Sequence, residues 1–406
     1  MTTYLLRRAL LMIPTLIGAT MLVFFVVAAA PGGISADTLS AEGNMRPEQR
    51  RARAAYLNAR YGLNKPLIVQ YLRWLNKVSP VGFRTWEPDD PEVQRSLTEA
   101  NRLRAELRPK LLDEGMTEAR AEDELMKRIV IPPEAGDVRF NKPGLKTPDL
   151  GDSFTRGRKV SALISTALPI TVLLNIIAIP IEYVLAVLTG VWAARHRGKT
   201  VDIVSGTTSL AMWSLPQIWV TVLVIGFFAS DRYLHWFPTN GLSDVRADSM
   251  AFLPNWPDSG FHRGWLLDFG WHLILPVLCI AYVNVAFLHK LSRASLLDTI
   301  QSDFVRTARA KGVNERAVLW AHAFRNSLIP LITVLVSLLP AMITGSIIVE
   351  TVFGINGMGR LSLEAVEQRD RELFLSNTLI VMLLTLAAYL LADILYVIAD
   401  PRVSYE

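Results

Sequence analysis

Cysteine is almost missing from this 406-residue chain: Cys279 stands alone, inside an apolar run. An intrachain disulfide is therefore impossible, and any outward-facing domain must fold without one. A lone cysteine in such a run reads as a small packing residue. Histidine is scarce too, six in all, and no His-Glu-x-x-His occurs, which argues against a membrane metalloprotease. No Gly-x-Ser-x-Gly appears, so serine hydrolysis has no support. Arg197-Gly198-Lys199-Thr200 resembles the end of a phosphate-binding loop. Ala193, however, stands where the first glycine belongs, and an apolar helix rather than a strand precedes it. That mismatch argues against ATP binding by this chain. No repeat of 20–50 residues is visible.

What the chain does have is apolar length. Hydrophobic residues make up 51%, a membrane composition rather than a soluble one. A spanning helix needs about 20 mostly apolar residues. Six runs qualify: 9–30, 162–192, 205–229, 271–288, 328–350 and 376–398. Each is expected to be a helix, because a helix satisfies its own backbone in lipid. Pro14, Pro169, Pro180, Pro216, Pro276 and Pro340 are expected to kink them. The first run, after Arg7-Arg8, is longer than a secretory signal core and reads as a retained helix. The fold class is an all-α polytopic membrane protein with a large outward segment between its first two spans. Four divisions follow: 1–30; 31–161, with an insert at 88–135; a five-helix core at 162–398, with a connecting loop at 289–327; and 399–406.

Orientation follows from Lys and Arg in the short connections. Residues 1–8, 193–204, 289–327 and 399–406 carry 13 in 67 residues, whereas 230–270 and 351–375 carry 6 in 66. The richer side, with both termini, is predicted to be cytoplasmic.

The outward insert 88–135 has 12 acids, 8 bases and no long apolar run. Val93, Leu97, Ala100, Leu103, Leu107 and Leu111 recur at helical spacing. Pro91 suits a first turn, Gly115 a C-terminal cap and Thr117 the N-cap of a second helix to about Ile129. The expected hairpin has a narrow apolar stripe, packed on the outward domain or used to dock a soluble partner. "NKPGLKTPDLG" (141–151) reads as a linker back to the membrane.

The stretch "DFVRTARAKGVNERAVLWAHAFRNSLIP" (303–330) has five Lys/Arg against two acids, with bilayer-length runs on both sides. It lacks the aromatic interleaving of a nucleic-acid site, and an anionic inner leaflet suits its charge. Phe304, Val305 and Ala308 are placed on one face, with Arg306 and Arg309 elsewhere. Gly312 can take the left-handed conformation that ends a helix. Asn314 is a good N-cap, and Val313 and Val318 sit where a hydrophobic staple forms. A topogenic basic loop would explain the arginines but not this elbow.

Here the chain resembles inner-membrane permease subunits of ABC importers. They carry Glu-Ala-Ala, three residues, then Gly in the cytoplasmic loop before their last two spans. This chain has Arg306-Thr307-Ala308, three residues, then Gly312, and "RTARAKG" is similar to the oligopeptide/dipeptide branch. "YLLRRALLMIPTLIGATMLVFF", "YGLNKPLIVQYLRWL", "DLGDSF", "WHLILPV", "IIVETVFGINGMGRL" and "DILYVIADPRVSYE" resemble the branch in order along the chain. "FPTNGL", "LWAHAFRN" and "GINGMG…EAVEQRD" are most like the Yej-type peptide permeases. The insert at 88–135 has no such counterpart.

The resemblance implies a type I ABC importer permease, non-catalytic, in a bacterial inner membrane. Its implied partners are a homologous second permease, one or two ATPase subunits, a periplasmic peptide-binding protein and the lipid bilayer, with no nucleic acid. The chain itself would hold no cofactor; ATP and magnesium would sit on the ATPases. The elbow would dock on an ATPase through Phe304, Arg306, Thr307, Ala308, Arg309, Lys311, Gly312, Val313 and Asn314. The glycine loop Phe353, Gly354, Asn356, Gly357, Met358, Gly359 and Arg360 would lie near the outer mouth.

Polar residues inside spans are costly and normally face protein or a wet cavity. Asn175, Glu182 and Asn284 either line a peptide path or bond between helices; Glu350 lies near Arg360 in sequence, and Asp393 reads as structural. The competing class is a self-sufficient secondary transporter or channel, for which Glu182 would be the ion-coupling group.

Overall fold

The computed structural model describes residues 2–29, 66–85, 91–113, 125, 138–256, 261–338 and 340–399. Among the described residues, five helical stretches are long and apolar enough to cross a membrane: Leu10–Ala29, Val160–Arg195, Gly264–Ile300, Glu315–Val352 and Arg371–Leu391. A sixth exists if the bent pair Thr200–Ser214 and Gln217–Phe228 is one broken span. The described chain divides into two compact units, one of residues 1–17, 154–370 and 377–406, the other of 18–153 and 371–376.

The first unit is built around two unbroken helices. After α1 (Thr2–Ala29), α2 (Leu67–Val78) and α3 (Pro91–Asp113) come α4 (Val160–Arg195) and, after the bent pair α5 (Thr200–Ser214) and α6 (Gln217–Phe228), α7 (Gly264–Ile300). Pro169, Pro180 and Pro276 lie within α4 and α7 without interrupting them. The two helices approach closely at Gly190, where an added Cβ would fall 2.7 Å from the Ser292 Cβ and 2.9 Å from the His289 carbonyl. Leu174, Ala178, Leu273, Val277 and Cys279 form one core with Val349, Phe353 and Ile355; Cys279 is thus the packing residue its surroundings suggest.

The expected third span is not a single rod: α5 and α6 meet at 99°. Leu215 precedes Pro216, which disfavours helical geometry for it, and it is extended. Two hydrogen bonds tie the break to α7, one of them satisfying its exposed backbone. Tyr282 Oη donates to the Leu215 carbonyl (3.1 Å), and Gln217 Nε2 donates to the Cys279 carbonyl (3.1 Å).

The fifth run is broken as well. Short α8 (Asp303–Ala310), α9 (Glu315–Ala317), a π segment (Val318–Phe324) and α10 (Arg325–Ser327) lead into α11 (Ile329–Leu338), α12 (Ala341–Thr344) and α13 (Ile347–Val352). Gly345, at φ 72°, separates the last two. α14 (Met358–Glu367) and α15 (Arg371–Ala399) complete the chain. Arg8 of α1 pairs with Asp393 of α15, which neutralises the charge inside the last span and supports the structural reading of Asp393. At the other end of α5, Arg293 of α7 pairs with buried Asp202 (Nη2–Oδ2 2.8 Å), which also accepts from the Gly198 amide (2.9 Å).

The second unit adds one two-stranded ribbon to an otherwise helical fold. β1 (Val81–Thr85) pairs antiparallel with β2 (Val138–Leu145), Val81 opposite Leu145, with a bulge between Phe83 and Thr85. The first five residues of the expected linker, Asn141 to Leu145, are therefore sheet, with Pro143 opposite Phe83. Asn76 brackets this ribbon: its Oδ1 accepts from Phe83 N (2.8 Å) and its Nδ2 donates to Phe83 O (2.9 Å). Phe24 packs edge-on to Tyr71 (5.4 Å), and Arg371 donates to Gln70 (2.6 Å) over the Phe24 ring. In the insert, α3 begins at Pro91 as expected. Leu111 is buried against Leu125 while Leu97 and Leu103 are exposed, so the stripe is only partly covered. Gly115, Thr117 and the second helix, apart from Leu125, lie outside the described residues.

Removing the Arg293 guanidinium leaves the Asp202 carboxylate buried without its counter-ion. Arg293→Ala is expected to lower stability by about 2 kcal/mol, the buried-pair cost discounted for the one-third exposure of the arginine side chain. A thermal melt in detergent checks it, and Arg293→Lys should keep part of the loss at bay.

Candidate functional site

The basic segment is built from the end of α7 outward. Of the loop expected at 289–327, residues 289–300 are still α7; the reversal comes later. α8 closes as a Schellman motif: Val313 N donates to Ala308 O (3.2 Å) and Gly312 N to Arg309 O (2.9 Å), with Gly312 at φ 76°. Asn314 caps the next turn, its Oδ1 accepting from Arg316 N (2.9 Å). Arg309 grips Glu315 across the elbow (Nε–Oε1 2.7 Å, Nη2–Oε2 3.3 Å).

Beneath the elbow, Val305, Ala308, Val318 and Ala323 are buried with Val191 and Ala194 of α4 and Leu296 of α7; Val313 packs on the same cluster. Phe304 does not share that buried face. It is 45% exposed, because Val305 and Ala308, three apart, point inward and the preceding position points out. Arg306, Thr307, Arg309, Lys311, Gly312 and Asn314 are all exposed. The surface offered is therefore basic and partly aromatic, on a backbone locked to the two long helices.

The second constellation is organised by Glu350, 1% exposed at the start of α13. Its carboxylate accepts from Thr171 Oγ1 of α4 (2.9 Å) and from the Arg360 amide (3.0 Å), with the Gly359 amide as a further donor. Thr171 Oγ1 in turn accepts from the Met358 amide (2.8 Å). These amides are the first turn of α14, so a buried anion sits on a helix N-terminus, where the free N–H groups favour it. The Glu350–Arg360 proximity seen in sequence is real, but it runs through the backbone; the Arg360 side chain pairs with Glu364 (2.9 Å), as does Arg156.

The glycines of this loop serve close packing rather than mobility. A Cβ on Gly357 would fall 2.6 Å from the Glu350 Cδ, and one on Gly359 would fall 2.7 Å from the Ile347 amide. Gly354, at φ 61°, lies against Asn240, and Gly241 N donates to Phe353 O (2.8 Å). Phe353 and Met358 are buried; Asn356 is exposed. Beside the loop is an open cleft of about 490 Å³ whose lining includes Asn240, Thr351, Arg360, Glu364 and Glu367.

The three polar span residues do not converge. Asn175 donates to Thr171 O (2.8 Å) and to Met342 O (3.4 Å), so it repairs the broken fifth span. Glu182 is fully buried, with Asn284 of α7 as its polar neighbour, and neither carboxylate oxygen completes a hydrogen bond among the described residues. Asn284 is half-buried. Sequence reasoning missed Thr171 and the Asp202–Arg293 pair. The one available signal for the pair was an acid in the first turn of α5, directly after a basic connection.

Residues 186–405 match the family described as "Binding-protein-dependent transport system inner membrane component". The chain is 30% identical to the oligopeptide transport system permease protein AppB of Bacillus subtilis, with all of both chains covered. It is 28% identical to the inner membrane ABC transporter permease protein YejB of Escherichia coli O157:H7, again across 100% of both. The di/tripeptide transport system permease protein DppB of Pseudomonas aeruginosa is likewise 28% identical with both chains fully covered.

Two glycine substitutions separate the two constellations. Gly312→Ala meets open space but keeps a positive φ, a cost of about 1 kcal/mol. Gly357→Ala has no such backbone strain but collides with Glu350 and Thr171, and is expected to cost about 3 kcal/mol. Thermal melts of the two variants should rank them in that order. Glu350→Ala, which strands Thr171 and the amides of α14, should cost about 3 kcal/mol, and Glu350→Gln less, since its carbonyl still accepts.

Proposed function

The chain belongs to the family of binding-protein-dependent transport system inner membrane components, and from that premise we propose that it forms half of the pathway of an ATP-driven peptide importer. The observation that carries the reading is the elbow: an exposed basic turn whose underside is locked to both α4 and α7. Relatives named for oligopeptide and di/tripeptide transport support the substrate class. A homologous second permease supplies the other half of the pathway, and a periplasmic binding protein delivers the peptide.

ATP and magnesium belong to the partner ATPases, and this chain contributes no catalytic group. An ATPase grips Phe304, Arg306, Lys311 and the backbone around Gly312. Its closure pushes the elbow, and Val305, Ala308 and Val318 pass the displacement to α4 and α7 without slack. At 1.5 Å per residue, the 37 residues of α7 make a rod of about 55 Å, longer than the bilayer. One end therefore follows the other, as rigid-body alternating access requires. The Lys/Arg distribution supports a cytoplasmic elbow and cytoplasmic termini, which leaves the Glu350-pinned loop on the periplasmic side, facing the binding protein.

The test is purification of the chain with its genomic neighbours, beside the double variant Gly312→Trp, Arg309→Glu. An ATPase should co-purify with the unchanged chain and be lost from the variant, and ATP-dependent peptide uptake into proteoliposomes should fall to background. If the chain alone moves solute without an ATPase, the reading fails in favour of a secondary transporter, with Glu182 as its first residue to mutate.

A further inference from the structure

The outer connection between α6 and α7 carries a concentration of exposed aromatics that the transport mechanism does not use. Trp256 is 77% and Phe261 50% exposed, and their rings pack together at 4.6 Å. They flank a paired bridge in which Asn255 and His262 exchange backbone hydrogen bonds of 3.1 and 3.0 Å. The segment is held on the first turn of α7. Trp265 N donates to Ala251 O (2.8 Å) and Leu266 N to Phe252 O (3.1 Å), while Gly264, at φ 67°, admits the Leu253 backbone against it. The display is thus fixed in place rather than loosely hanging.

Its position along the span is set by its neighbours. Gly264, two residues past the bridge, starts α7 at the end opposite the elbow. Leu266 and Leu267, in the first turn, are themselves exposed and continue the apolar surface of the span. Two turns further along α7, Trp271 donates its indole N–H to the Trp236 carbonyl (2.8 Å) and stacks on Phe237 (4.7 Å). Arg263 lies over the Trp271 ring at 5.7 Å. Tryptophan beside arginine at a helix end is the signature of the membrane–water boundary, where an amphipathic ring and a snorkelling cation both find partners. A contiguous apolar display of this kind is unusual on a water-facing surface.

We propose that this bridged aromatic pair is a lipid anchor: Trp256 and Phe261 insert at the headgroup–acyl boundary of the leaflet opposite the elbow. The occupant is the bilayer because the segment that carries the pair is hydrogen-bonded to the first turn of α7, where a long apolar helix begins with exposed leucines. The anchor would fix the depth of the outer end of α7, so that a push at the elbow rotates the rod instead of sliding it through the membrane. This inference depends on α7 spanning the bilayer and not on the nature of the cargo.

The test uses the lone cysteine. In a Cys279→Ala background, Trp256→Cys and Phe261→Cys are nitroxide-labelled separately. Each is assembled in lipid nanodiscs with co-expressed subunits whose own cysteines are replaced. Power-saturation EPR then compares collision with oxygen, which concentrates in lipid, and with a water-soluble nickel chelate. Val245→Cys, fully exposed between Asp244 and Arg246, is the water reference. An oxygen-to-nickel ratio several-fold above that reference at either position is the expected result. Ratios at both positions no higher than the reference place the aromatic pair in water and overturn the proposal. Low collision with both reagents at both positions overturns it in favour of a protein partner.

Discussion

Every backbone group exposed by a break in a membrane span must find a partner inside the protein, and α4 and α7 supply most of the partners seen here. At the Leu215–Gln217 break, Tyr282 Oη of α7 donates to the Leu215 carbonyl, and the Gln217 side chain ties back to the Cys279 carbonyl of α7. Asn175 and Tyr183 of α4 bond the carbonyls of Met342 and Leu331 in the interrupted fifth span (3.4 and 3.1 Å). Thr171 of α4 joins Glu350 in gathering the amides of α14. Two continuous helices therefore make two discontinuous ones tolerable, since lipid offers no alternative donors or acceptors.

The same two helices give the elbow something rigid to act on. A loop that merely set topology would need only its arginines. This one has a hydrogen-bonded cap at Gly312, a capped restart at Asn314 and a dry underside against Val191, Ala194 and Leu296. The Asp202–Arg293 pair and the Gly190–Ser292 approach tie the neighbouring helices at the same end. The polar residues inside the spans are accordingly mostly structural: Asn175 and Asp393 have partners within the unit. Glu182 completes no hydrogen bond through either carboxylate oxygen among the described residues.

What could be read from the chain was whatever is encoded within about ten residues. Gly312 and Asn314 marked the elbow because a left-handed cap and an Asx N-cap are local events. Apolar length marked the spans, but it does not report continuity: Pro216 sits at a right-angle bend, while Pro169, Pro180 and Pro276 are absorbed in intact helices. "NKPGL" looked like a linker because proline and glycine usually punctuate; here Val81 to Phe83, distant in sequence, pair with it as a strand. Phe304 was placed on the wrong side of α8 because an eight-residue helix offers too few positions to fix its face.

By itself, then, the sequence determined that the chain is a membrane protein with long apolar helical runs, and that a capped basic elbow interrupts them, since hydropathy and capping depend on neighbouring residues alone. Only the tertiary structure decided which polar groups meet. Thr171 reaches Glu350 across 179 residues, and Asp202 reaches Arg293 across 91. Such pairings come from helix packing, in which the approach of one backbone to another selects the partners, and no local spacing encodes that approach.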